Sequence, residues 1–326
     1  MSWTPIHAQI HRTIGDRHLL PPQQRLLVAV SGGQDSLCLI KLLLDIQHKW
    51  QWFLAIAHCD HRWRDDSQAN AHHVENLAQS WQIPYHLATA QDNINSEAAA
   101  RSWRYQALTE IAQTYDYSYI ITGHTASDRA ETLLYNLIRG TGADGLQALT
   151  WQRPLTNHLL LIRPLLEITR SQTAEFCQQF NLPIWEDTTN QNLQYSRNRI
   201  RQQLIPYLQT NFNPQVETNL AQTAELLQTE VAYLEEIAHH WRLEASATQK
   251  NPNFGLNRKI LRKAPLAIQR RVMRQLLQDI VPQSPNFRHI EKLINLINAP
   301  NHSQTDPFPG GAIAQVQDDW IIIIVN

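Results

Sequence analysis

Hydrophobic and polar positions along this chain follow two different periods. Runs rich in β-branched and aromatic residues recur at 25–30, 52–58, 83–89, 117–123 and 158–163, and each reads as a buried strand. Between them, at 36–48, 66–81, 97–115, 127–139 and 169–180, the patterns are helical. Strands alternating with helices predict an α/β fold, a parallel sheet with helices on both faces. After 195 the pattern is helical over 195–209, 215–245, 265–279 and 286–297, and the run 320–325 after Gly310 and Gly311 predicts a short terminal strand. Asn211-Phe212-Asn213-Pro214 is the clearest break, because asparagines followed by proline favour a turn. The expected organisation is an N-terminal extension over 1–24, an α/β domain over 25–211, and a mainly helical domain over 212–326.

In open parallel sheets, ligands bind beyond the carboxyl ends of the strands, so the residues that follow each strand carry the chemistry. The first strand is followed by Ser31-Gly32-Gly33-Gln34-Asp35-Ser36. Two glycines let the backbone turn and come close to a ligand, and the free N–H groups opening the next helix point at negative charge. Ser31 and Ser36 can add hydroxyl donors. An ordinary βα turn would also favour glycine and serine, but it does not ask for this ordered set. Neither GxxxxGK[ST] nor GxGxxG is present, which sets aside the Walker A loop and the dinucleotide turn. The loop resembles the SGGxDS loop of the ATP pyrophosphatases, which cut ATP between its α and β phosphates. That resemblance implies a cradle for pyrophosphate made by Ser31, Gly32, Gly33, Gln34, Asp35 and Ser36, with Asp35 as a partner of Mg²⁺ bound with ATP.

Composition and charge narrow the partners. The 326 residues are 43% apolar and 17% charged, with no apolar leader and no run of membrane-spanning length, so a cytoplasmic protein with no membrane partner is expected. Cys38, Cys59 and Cys177 stand far apart, which argues against a zinc ribbon, an iron-sulfur site or a disulfide framework. The net charge of −1 hides an asymmetry: residues 1–190 carry 14 basic against 18 acidic residues, and 191–326 carry 14 against 11. Nine basic residues lie between Arg258 and Lys292, among them Arg270, Arg271 and Arg274, opposed there only by Asp279 and Glu291. That excess suits a polyanionic partner.

The other strand ends complete the picture: His58 to Ser67, Glu97 to Tyr105 on the following helix, Gly123 to Thr132, and Glu186 to Asn190 with Arg197-Asn198-Arg199-Ile200-Arg201. With the glycine loop, these five ordered motifs resemble the tRNA(Ile)-lysidine synthetase family from about Arg25 to Leu208, with weaker support through Leu293. The resemblance implies the PP-loop ATP pyrophosphatase (adenine nucleotide alpha hydrolase-like) fold, followed by a basic tRNA-binding domain. It implies ATP-dependent attachment of free L-lysine to C2 of the wobble cytidine of tRNA(Ile) with the CAU anticodon. The cytidine is adenylated first, and pyrophosphate and AMP are released.

Residue roles follow from position and resemblance together. Asp128 and Glu131, three apart at a helix start, share a face; they are candidates for holding lysine and helping deprotonate its amine, against the plainer role of complementing the helix N-terminus. Arg104, one turn from Arg101, is a candidate for the α-phosphate or tRNA, against a surface ion pair. His58 and His124 are candidates for touching the nucleotide, against structurally satisfied imidazoles. Arg197, Arg199 and Arg201, at i, i+2 and i+4, spread around a helix with only the outer two on one face, and the family likeness makes them candidates for closing over the site and gripping tRNA, against a solvated helix start. Arg270, Arg271 and Arg274 are candidates for tRNA phosphates. Thr125 and Arg129 depart from the family pattern and are not expected to be catalytic. Three alternatives are a tRNA thiolase, an amide-forming synthetase sharing the loop, and a non-catalytic tRNA-binding nucleotide sensor. The oligomeric state is open, with a homodimer as one candidate.

Overall fold

A computed structural model describes residues 3–62, 66–91, 96–186, 193–246 and 255–324. They form two compact units, Met1–Gln228 and Thr229–Asn326. The first unit holds a six-stranded sheet in the order β3-β2-β1-β4-β6-β5, built from β1 (Arg25–Ala29), β2 (Phe53–Asp60), β3 (Tyr85–Thr89), β4 (Tyr119–Thr122), β5 (Gln152–Thr156) and β6 (Leu159–Ile162). All neighbours run parallel except β5, which is antiparallel to β6. The period of two sends Leu26 and Val28 into one apolar cluster and Leu27 into another, so both faces of β1 are buried.

Helices cover both faces. The first cluster includes Ile10 and Ile14 of α1 (Pro5–Asp16), Leu39 and Leu43 of α2 (Gln34–Trp50), Val74 of α3 (Ser67–Ser80) and Phe176 of α7 (Arg170–Gln179). The second takes Leu108 and Ala112 of α4 (Glu97–Thr114). Between these lie α5 (Ala126–Ile138) and the short α6 (Ala143–Leu146). The segment over 1–24 thus includes α1 as part of the first core. Buried His7 reaches Asp45 of α2 at 3.1 Å, and Lys41 pairs with the same carboxylate.

After residue 193, α8 (Ser196–Arg199), a π-helical turn (Ile200–Leu204) and α9 (Ile205–Asn211) form one continuous helical run, followed by α10 (Val216–Ser246). The Asn211–Pro214 stretch does interrupt the helix. The sequence places the domain boundary there, whereas the compact units divide inside α10, at 228/229. The opening of α10 belongs to the first unit because Glu225 accepts from Arg129 at 2.7 Å, Arg17 at 2.8 Å and the Trp151 indole at 2.7 Å.

The second unit is helical with a small antiparallel sheet, β7-β9-β8, made of β7 (Gly255–Asn257), β8 (Ile313–Gln317) and β9 (Trp320–Ile324). Its other elements are α11 (Arg258–Leu261), α12 (Leu266–Ile280) and α13 (Phe287–Leu296). Val272, Leu276, Leu293 and Ile321 meet in its core. Among the described residues no helix is long and apolar enough to cross a membrane.

Candidate active site

Strand order reverses between β1 and β4, the place where open sheets of this kind leave a crevice. The turn after β1 is shaped by its own hydroxyls: Ser36 Oγ donates to the Gly33 carbonyl (2.8 Å) and accepts from the Ser31 N–H (3.2 Å), and Ser31 Oγ accepts from the Gly33 N–H (3.3 Å). Gly32 has φ +86°, and a Cβ there would lie 2.5 Å from Asn70 Oδ1, so the turn requires glycine. Gly33 caps α2 without a side-chain bond, which leaves the first N–H groups of α2 as an anion site. Gly123, directly after β4, allows a second close approach: a Cβ there would be 2.9 Å from the Asp35 carbonyl oxygen.

Three carboxylates converge beside this turn. Arg170, the first residue of α7, spreads its guanidinium among them: Nε to Asp35 Oδ2 at 3.2 Å, one terminal nitrogen to Glu131 Oε1 at 2.8 Å, the other to Asp128 Oδ1 at 2.7 Å. Arg201 adds two bonds to Glu131, at 2.7 and 3.0 Å, and lies 3.7 Å from Asp128 Oδ1. The other oxygen of Asp128 accepts from the N–H and the hydroxyl of Thr125, both at 2.8 Å, which makes the capping box of α5. One oxygen of Asp128 thus serves the helix cap, the plainer role weighed for it, and the other meets Arg170.

The helix starts hold this arrangement together. The Arg170 N–H donates to Ser127 Oγ at 2.9 Å, and Gln34 Nε2 donates to the Arg170 carbonyl at 2.7 Å. Thr173 Oγ donates to Asp35. Burial works against the charge of Asp128, but Arg170, His124 and the Thr125 donors outweigh it and hold its carboxyl below the usual range. Asp35 shifts the other way, since burial raises it and Asp128 adds to that, with Arg170 offsetting only part. Burial also opposes the charge of Arg170, yet its three acidic partners raise its pKa overall.

His58 is buried, and its Nδ1 donates to the Val30 carbonyl at 2.8 Å; burial lowers its pKa, so it braces the end of β1 as a neutral imidazole. His124 Nδ1 lies 2.9 Å from Thr122 Oγ1, and burial lowers its pKa too, with Arg163, Arg101 and Arg104 adding to the effect and Asp128 opposing it. Arg104 is exposed on α4 and makes no hydrogen bond or salt bridge among the described residues; its charge is felt at His124 and Cys59. Residues 63–65 and 187–190, parts of two of the sequence motifs, lie outside the described residues.

The RNRIR element divides. Arg201 turns into the carboxylate cluster, Arg197 lies 5.7 Å from the Tyr135 ring, and Arg199 is exposed with a bond to Ser196 Oγ at 3.1 Å. Arg197 and Arg201 both meet residues of α5 while Arg199 between them is exposed, as the i, i+4 spacing of the outer two leads one to expect. In the second unit, the excess of positive charge counted along the sequence is paired in part. Arg271 and Arg274 are drawn onto Glu235 of α10, Arg270 binds Glu291 at 2.7 Å, Lys259 binds Asp319 at 2.7 Å, and Lys292 lies 3.4 Å from Asp306. A window from Arg258 to Lys292 does not see the acids that other elements bring to it.

Sequence reading missed Arg170. Its signal was indirect: three carboxylates brought to one crevice need a cation, and Arg170 opens a helix right after a capping threonine. The departures at 125 and 129 have structural work, Thr125 as the cap and Arg129, 1% exposed, bonded to Glu225 and the Leu149 carbonyl. Sulfur transfer finds no support, because Cys38 and Cys177 are buried and burial pushes the Cys59 thiol up to about 12.

Two family models match the chain, a PP-loop domain over residues 4–208 and a TilS substrate binding domain over residues 256–319. A tRNA(Ile)-lysidine synthase of Nostoc sp. is 68% identical over 99% of this chain and 98% of its own length. One from Synechocystis sp. is 52% identical, covering 98% of each. Among solved structures, the U34-tRNA thiolase NcsA from Methanococcus maripaludis aligns with a TM-score of 0.59 at 16% identity, over 68% of this chain and 77% of that one, a likeness of fold alone.

Proposed function

The chain belongs to the tRNA(Ile)-lysidine synthase family, ATP-using ligases that form lysidine on an isoleucine tRNA, and from that premise we propose how its residues divide the reaction. The C2 oxygen of the wobble cytidine attacks the α-phosphate of ATP and pyrophosphate leaves. The side-chain amine of lysine then attacks C2 and AMP departs with that oxygen. The departing pyrophosphate is received by the opening N–H groups of α2, whose geometry Gly32 and Ser36 fix. Arg104 and Arg101 offer guanidinium donors to the α-phosphate.

Asp35 fits a role beside Mg²⁺, since that ion is commonly held by one or two carboxylates together with phosphate oxygens. When bound, the ion would supply charge neutralisation on the phosphates. Both oxygens of Asp35 already have partners in Arg170 and Thr173, so the carboxylate would be shared with the ion.

Asp128 and Glu131 receive lysine. One observation carries this reading: Asp128 and Glu131 converge in one crevice beside the opening of α2, with their carboxylates oriented by Arg170 and Arg201. The amine, with an ordinary pKa of about 10.4, must lose its proton before it attacks. Asp128, which Arg170 holds below the ordinary carboxylate range, is suited to binding an ammonium rather than to taking its proton.

Single-turnover assays with ATP, lysine and tRNA(Ile) bearing the CAU anticodon test this. Asp128→Asn is expected to keep adenylation within a few-fold while lysine transfer falls about 10²-fold. Equal loss of both steps would overturn the lysine-specific role.

A further inference from the structure

A groove farther along α5 has no part in the chemistry described so far. It lies between the second half of α5 and the run from Ser196 to Tyr207, has a volume of about 750 Å³, and is lined in part by Tyr135, Ile138, Arg139, Arg199, Leu204 and Tyr207. No acidic residue lines it among the described residues. Large apolar and aromatic side chains stand in solvent at and beside it: Ile138 is 67% exposed, Tyr207 57% and Phe212 72%, and the rings of Tyr207 and Phe212 meet edge-on at 6.0 Å. The Arg139 and Arg197 guanidinium groups lie 5.3 and 5.7 Å from the centre of the Tyr135 ring.

We propose that this groove is a subsite for unpaired RNA bases, in which nucleotides flanking the wobble cytidine stack on Tyr207 and Tyr135 while Arg139 and Arg199 take their phosphates. The proposal rests on tRNA being the substrate. Exposed aromatic faces interleaved with arginine, and free of acids, match single-stranded RNA, which offers base faces and a regular negative charge. Position agrees with chemistry. Tyr135 is four residues beyond Glu131 on α5 and Arg139 eight, which at 1.5 Å per residue is about 6 and about 12 Å from the carboxylate cluster. Stacked nucleotides advance about 3.4 Å along a strand and unstacked ones further, so the near neighbours of the reacting base reach the groove. One segment touches both places: the π-helical turn sends Arg201 to Glu131 and places Leu204 in the groove wall.

The test uses the full chain and tRNA(Ile) carrying 2-aminopurine in place of the adenosine that follows the wobble cytidine. Stacking is expected to quench its fluorescence on binding. Tyr207→Ala should abolish the quench and raise KM for tRNA about tenfold, the equivalent of about 1.4 kcal/mol, with kcat within about twofold. Tyr207→Phe should retain both. Arg139→Gln should raise KM and make the salt dependence shallower by about 0.7 in log–log slope. Each of these side chains is exposed, so melting temperatures should match the wild type. The inference is overturned if the wild-type quench and KM persist in Tyr207→Ala and Arg139→Gln. It is equally overturned if Tyr207→Ala dissociates a dimer in sedimentation while KM for tRNA is unchanged, which would make the groove a face between copies. Absence of any lysine-dependent product in the wild type would instead strike the reaction itself, and the quench would still decide the groove.

Discussion

Arg170 is one guanidinium shared by carboxylates from two elements, α2 and α5, and it determines how their charges sit. Arg170→Gln is expected to destabilise the fold by about 2 kcal/mol, less than a fully buried pair would cost because the side chain is partly exposed, and to stop lysine transfer. Arg170→Lys, which keeps the charge and loses the fork, should recover stability better than activity. Urea titration and single-turnover transfer give the two readouts. The same contact sets a pH dependence. The folded carboxyl of Asp128 lies below its ordinary 3.8, so the stability it contributes is complete above that value and lost as pH falls through the lower, folded one. The acid limb of a stability curve below about pH 4 should therefore be shallower in Asp128→Asn than in the wild type. That Asp128 and Glu131 share a face was legible from spacing, because residues three apart on a helix lie on a common side. Arg170 was not, since its partners are 135, 42 and 39 positions away and local pattern carries no record of such distances.

Among the elements, the strands and helices that were legible are those whose period is imposed by burial. β5 escaped because Pro154 interrupts its run and its first three residues are exposed, as befits an edge strand. The π-helical turn escaped because an inserted residue in a helix leaves no compositional mark. The contact between the turns after β1 and β4 depends on Gly123. Gly123→Ala brings a methyl group against the Asp35 carbonyl, and the start of α2 must move to admit it. The expected result is a KM for ATP raised about tenfold and a stability loss of about 1–3 kcal/mol, the usual cost of overpacking. Steady-state kinetics and thermal melts check both.

For the molecule as a whole, charge counted along the chain and charge available in space are different quantities. Arg271 and Arg274 serve Glu235, whereas Arg270 is 41% exposed beside Glu291. Replacing all three by Gln should lower the salt slope of tRNA binding by nearer one phosphate than three. Arg271→Gln with Arg274→Gln should lower the melting temperature, which Arg270→Gln leaves within the range of ordinary surface changes. Affinity measured at several salt concentrations separates these outcomes.

The two oxygens of Asp128 have a consequence for how this chain tolerates change. Oδ2 closes a capping box, a duty that Glu, Gln or Asn at the same position can also perform. Oδ1 faces the cations, a duty that needs the carboxylate. Saturation mutagenesis at 128, scored once for folding and once for lysidine formation, should give two rankings that part company at Asn and Gln. In a gene duplicate relieved of its task, drift from Asp to Asn at this codon would keep the cap and forfeit the pairing with Arg170.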